Sequence, residues 1–116
     1  MAVPQFRAEE VDGITLVSLA GDLEGHGADE FRELMDRLLR GPGAPRVVLD
    51  VSAVQRMSSY LVALVGFYSS QFCQARGRLV LAGAGAPARR AFELSGLAAT
   101  VVFADTVEQA LGEARP

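Results

Sequence analysis

The chain reads as a single α/β domain on a mixed β-sheet, in the order β-β-α-β-α-β-α-β-α, with helices mainly on one face. Three observations predict this. Arg46 to Val51 and Arg78 to Ala82 are short, nearly continuous apolar runs, as strands of a covered parallel sheet are. Segments with apolar residues at helical spacing stand between and after them. An Asp12-Gly13 pair separates two earlier strand-like runs and marks a hairpin, which supplies an antiparallel edge. With 116 residues, one core and one domain spanning residues 1–116 are expected.

Each element has its own signal. Gln5 to Glu10 is a weak strand, and Ile14 to Ala20 a stronger one rich in β-branched residues. Gly21 to Gly27 reads as a loop. Asp29 to Arg40 is a helix, because Phe31, Leu34, Met35, Leu38 and Leu39 recur on one side. Gly41-Pro42-Gly43-Ala44-Pro45 stops it. After the Arg46 to Val51 strand, with Asp50 near its carboxyl end, a second helix runs from Ser58 to Ala75 and ends near Gly77. Arg78 to Ala82 is the next strand, and Pro87 suits the first turn of a helix reaching Leu94. Thr100 to Phe103 is the last strand. A terminal helix, Thr106 to Ala114, is capped by Asp105 or Thr106.

Composition narrows the function classes. Half the residues are apolar and mean hydropathy is +0.24, which argues for a folded chain. The net charge of −3 and the pI near 5.1 argue against nucleic-acid binding, and the 11 basic residues, all arginine, are scattered. The single Cys73 excludes an internal disulfide and a cysteine-based metal site, and reads as a small buried hydrophobe. Met1-Ala2-Val3-Pro4 shows no signal peptide, and no apolar run approaches the ~20 residues that span a bilayer. A soluble, cytoplasmic domain without membrane insertion is expected.

The chemistry concentrates at Ser58 and Ser59, where a strand and short loop meet an apolar helix. A hydroxyl there faces unpaired helix N–H groups and the positive end of the helix dipole, a place that accepts a phosphate. A purely structural reading makes both serines caps. Neither has Glu or Gln three residues on, so no capping box forms. Nucleophilic catalysis lacks a base near the serines: the one histidine, His26, stands between glycines and reads as a turn residue. Gly83-Ala84-Gly85-Ala86 lacks the Gly-Lys-Ser/Thr ending of a phosphate loop. Asp22, Glu24 and Asp50 would gather acidic charge near the serines but show no metal-ligand spacing, so no cofactor or metal is expected.

The order of motifs resembles the STAS domain (sulfate transporter and anti-sigma factor antagonist) over nearly the whole chain. The pieces are Gly21-Asp22-Leu23-Glu24, Asp50-Val51-Ser52-Ala53-Val54, Gly77-Arg78-Leu79-Val80-Leu81-Ala82-Gly83, Pro87 to Leu97, and Glu108-Gln109-Ala110-Leu111. The resemblance implies a non-enzymatic module that captures a GHKL-type anti-sigma factor kinase. It also implies a phosphoacceptor serine at the start of the second long helix: Ser59, with Ser58 as second choice. The alternative it implies is a constitutive scaffold subunit, stressosome-like or associated with lipid-transporting ABC systems, that is not phosphorylated. At the site the chain has Ser58-Ser59-Tyr60-Leu61 where the family commonly has aspartate, the acceptor, a small residue and glycine.

The helix after Ser59 adds a surface to this. At about 100° per residue, Leu61, Val65, Tyr68 and Phe72 form one stripe, flanked by Val62 and Cys73, which should pack on the sheet. Ser70, Gln71 and Gln74 lie opposite, and Tyr60, Ala63 and Phe67 fall on that polar side. The expected partner surface is therefore Asp22, Glu24, Asp50, Ser58, Ser59, Tyr60, Ala63 and Phe67, with a homodimer as a second use of it.

Overall fold

The computed structural model describes residues 5–22 and 26–115. Its elements follow the order read from the sequence: β1 (Gln5–Val11), β2 (Ile14–Asp22), α1 (His26–Arg40), β3 (Arg46–Arg56), α2 (Ser59–Gln74), β4 (Arg78–Ala82), α3 (Ala86–Leu94), β5 (Val102–Ala104) and α4 (Val107–Ala114). A 3-10 turn over Ala98–Thr100 leads into β5. Glu24, one of the expected site residues, lies outside the described residues, as do the side chains of Asp22 and His26.

The strands lie side by side in the order β1-β2-β3-β4-β5. β1 runs antiparallel to β2 through a two-residue turn at Asp12 (φ 52°) and Gly13 (φ 82°), the positive-φ pair that a tight hairpin demands. The remaining neighbours are parallel. Because the order never reverses, the right-handed crossovers through α1, α2 and α3 all fall on one face. No topological switch point opens a crevice inside the sheet, so function is left to edges and surfaces.

Side-chain alternation divides two cores. Val47, Leu49 and Val51 of β3, with Leu79 and Leu81 of β4, pack under Phe31 and Met35 of α1, Leu61, Val65, Tyr68 and Phe72 of α2, and Phe92 of α3. Val48, Val80 and Ala82 face the other way, against Ala110 and Ala114 of α4. Three of the four helices thus share one face. Burial on both faces explains why the sequences of β3 and β4 show no polar alternation.

Several boundaries differ from the sequence reading. β2 and β3 stay paired past Ala20, through register shifts at Ser18/Ala20 and Gly21/Asp22, so β3 runs to Arg56 and Asp50 lies mid-strand, not near its end. Gly21 makes this irregularity possible at φ 86°. His26 begins α1 instead of sitting in a loop. β5 starts at Val102 instead of Thr100, because the Thr100 carbonyl accepts a hydrogen bond from the Ser69 hydroxyl at 2.7 Å and so turns away from the ladder. Cys73 is exposed, not buried, for it lies on α2 where β5 has not yet begun.

Two glycines make opposite predictions. A Cβ on Gly77 would stand 1.8 Å from the Pro45 carbonyl oxygen, backbone that cannot move aside. Gly77→Ala should lower the unfolding free energy by ~3 kcal/mol or more in a denaturant titration. Gly112 sits inside α4 with nothing within 4 Å of its Cβ direction. Gly112→Ala should raise stability by ~0.5–1 kcal/mol through helix propensity alone.

Candidate functional site at the start of α2

The two serines divide their duties. Ser58 has extended backbone (φ −66°, ψ 161°), and its hydroxyl accepts a hydrogen bond from the Leu61 N–H at 3.1 Å. It is the N-cap. Ser59 is the first residue of the helix itself, and its side chain is exposed. No acidic residue lies in the first turn of α2, so the positive end of the dipole there is not offset locally.

The strand that leads to the serines carries its own side-chain brace. Asp50 Oδ1 accepts hydrogen bonds from the Ser52 N–H at 3.1 Å and from the Ser52 hydroxyl at 2.8 Å. The Ser52 Cβ packs so close to Gly83 that a Cβ there would stand 2.9 Å away, and Gly83 (φ 76°) donates its N–H to the Ala104 carbonyl at 3.0 Å. These contacts tie the carboxyl ends of β4 and β5 to the middle of β3. Asp50 shares its sheet face with Val48, the side covered by α4, whereas Ser59 belongs to a helix on the opposite face. Asp50 thus works as a brace within β3, and its carboxylate lies across the sheet from the serines.

The exposed side of α2 carries the aromatics. Tyr60 is 49% exposed and Phe67 54%, with exposed Ala63 between them. Leu61, Val62, Val65, Tyr68 and Phe72 are buried, as the stripe predicts. The Phe67 ring meets Tyr68 edge-on at 5.1 Å between centroids, which holds it in place without covering it.

Residues of α1 that sequence reasoning missed complete the surface. The Tyr68 hydroxyl donates to Asp36 Oδ1 at 2.6 Å, and the Arg32 carbonyl lies 3.4 Å away. Tyr60 foremost, and then Tyr68, raise the Arg32 pKa above its ordinary value through hydrogen bonding and charge. Arg32 and Asp36 are polar positions of an amphipathic helix, and no local signal distinguishes them from ordinary solvated charges. Among the described residues, no group of three His, Cys, Asp or Glu side chains converges as a metal site, and no helix is long and apolar enough to cross a membrane.

The chain belongs to the STAS domain family, whose model matches residues 5–110. It is 29% identical over 110 residues to an anti-sigma F factor antagonist of Paenibacillus polymyxa, covering 94% of this chain and 93% of that one. A putative anti-sigma factor antagonist of Thermotoga maritima shares the fold with a TM-score of 0.84 at 20% identity, over 96% of this chain and 95% of that one. The Bacillus cell fate determinant SpoIIAA in its phosphorylated form matches with a TM-score of 0.74 at 25% identity, over 96% and 100% of the two chains. The domain is therefore similar throughout to anti-sigma factor antagonists.

Two measurements check this geometry. Ser58→Ala should cost about 1 kcal/mol of stability by removing the cap, while Ser59→Ala should cost a few tenths at most, as read by denaturant unfolding. Burial, followed by the hydrogen bond to Asp36, pushes the Tyr68 pKa from 10.0 up to about 12. A phenol held neutral in the fold stabilises fully below its unfolded pKa and loses that contribution as pH rises from about 10 through about 12. Stability should therefore fall across this window, and Tyr68→Phe should flatten the fall.

Proposed function

We propose that this protein is a non-enzymatic regulatory module that captures a GHKL-type anti-sigma factor kinase and is released when that kinase phosphorylates Ser59. One observation carries the reading: Ser58 alone discharges the capping duty, which leaves the Ser59 hydroxyl exposed at the positive end of α2. A phosphate there adds a charge of about −2 that the helix N-terminus tolerates and a closely packed interface does not. Similarity to an anti-sigma F factor antagonist, and to a relative seen in a phosphorylated form, supports the same reading.

The docking surface in this reading runs from Ser59 along Tyr60, Ala63 and Phe67 to Arg32. Tyrosine and arginine are over-represented among the residues that dominate binding energy, and here two exposed aromatic rings flank a small alanine that lets a partner approach. Tyr60, standing next to Ser59 where relatives commonly carry a small residue, favours a second reading: a scaffold subunit that binds through the same surface and is never modified.

Kinase labelling separates the two. Incubation with a GHKL-type anti-sigma factor and ATP should label the wild type once and Ser59→Ala not at all. Ser59→Asp should weaken complex formation at least tenfold, and Ser59→Ala should leave it intact, by calorimetry. Tyr60→Ala and Phe67→Ala should each cost more than 1 kcal/mol of binding. Binding without any labelling supports the scaffold, and equal labelling of wild type and Ser59→Ala moves the acceptor to Ser58.

A further inference from the structure

At the opposite end of α2 from Ser59, a cavity of about 400 Å³ opens between that helix, the start of β4 and the 3-10 turn. Ser70, Cys73, Gln74, Leu79, Ala99 and Thr100 are among its walls. Its size lies within the range of small-molecule sites, and its surface is mostly apolar.

The cavity opens beside the first residues of β4, where β5 has not yet begun to pair with it. The Arg78 N–H donates to the Pro45 carbonyl at 2.8 Å, on the β3 side, and the Gly83 N–H donates to Ala104 at 3.0 Å, on the β5 side. Successive strand residues point their N–H groups to opposite sides, so Leu79 and Leu81 direct theirs toward β5, as Gly83 does. The register pairs Val80 with Val102 and Leu81 with Phe103. One step further back, the Leu79 N–H would reach the Thr100 carbonyl. That carbonyl is engaged by the Ser69 hydroxyl at 2.7 Å instead. Leu79 is 2% exposed, and among the described residues no turn, loop or side-chain acceptor takes its N–H. A buried backbone donor without a partner is rare and costly, and here it faces the cavity.

Charge in the cavity is equally informative. Arg78 is among the lining residues, but its guanidinium is engaged by α4, where it donates to the Glu113 carbonyl at 2.6 Å. The remaining polar side chains are neutral groups: the Ser69, Ser70 and Thr100 hydroxyls, the Gln74 amide and Cys73. A carboxylate entering would lose its hydration without gaining a cation.

We propose that this cavity binds a compact neutral molecule with an apolar body and one acceptor oxygen, such as a ketone or amide, which takes the hydrogen bond of the Leu79 N–H. The body would lie against Leu79 and Ala99. The test is a titration of ¹⁵N-labelled protein with cyclohexanone and, separately, with cyclohexanecarboxylate, alongside the rate of Cys73 alkylation by iodoacetamide. Cyclohexanone should move the Leu79 amide proton downfield in a saturable way and slow alkylation of Cys73 at the cavity wall. Ser70→Trp and Ala99→Phe fill the cavity from exposed positions and should abolish both effects. No saturation within the solubility of cyclohexanone means that water alone occupies the site, and a Leu79 shift that survives both fillings places the ketone outside the cavity; either result overturns the proposal. Binding of the carboxylate as strongly as the ketone overturns the neutral class.

Discussion

Everything in this domain hangs on β3. It pairs in parallel along nearly its whole length with one neighbour, β2, while a second, β4, closes its other side from Arg46 to Asp50. With both faces covered, Val47, Val48 and Leu49 are essentially inaccessible to water. Burying each of these side chains contributes about 1.5–3 kcal/mol, and their position fixes where the chain leaves the sheet to start α2. The cap at Ser58 then sets the direction of departure. A serine can thus be presented at a defined place without any strain in its own backbone.

The fold was largely legible because its signals were redundant. Apolar runs without alternation located β3 and β4, helical spacing located α1 and α2, and the Asp12-Gly13 turn set the hairpin register. The readings that failed did so where a tertiary bond overrode a local one. Thr100 belongs by propensity to a strand, yet its carbonyl is taken by Ser69, a partner 31 residues away. Cys73 belongs by helical angle to the flank of the buried stripe, yet no strand stands opposite it. Asp50 reads as near the end of its strand because the apolar run stops at Val51, but pairing with β2 continues through irregular register.

The site was legible in its helix and illegible in its neighbours. Ser58, Ser59, Tyr60 and Phe67 follow from position and period along one element. Arg32 and Asp36 enter only because α1 packs beside α2, a relation that no local pattern encodes. The division of labour between the two serines is likewise not local in the sequence, since both are good caps, and the extended backbone of Ser58 with its hydrogen bond from Leu61 distinguishes them. Asp50 illustrates the converse: proximity in sequence to the serines gives it a bracing role on the other face of the sheet.

The short fifth strand governs how this molecule can meet others. β5 offers only Val102–Ala104 at one margin of the sheet, and at the other β1 carries Arg7, Glu9 and Glu10. Neither margin presents a long, flat, uncharged row of peptide groups on which another chain might continue the sheet. Assembly by strand addition, the route to domain swapping and fibrils, is thereby discouraged at both borders. Contacts with other molecules are left to side chains on the surface of the helices, not to the peptide groups of the sheet.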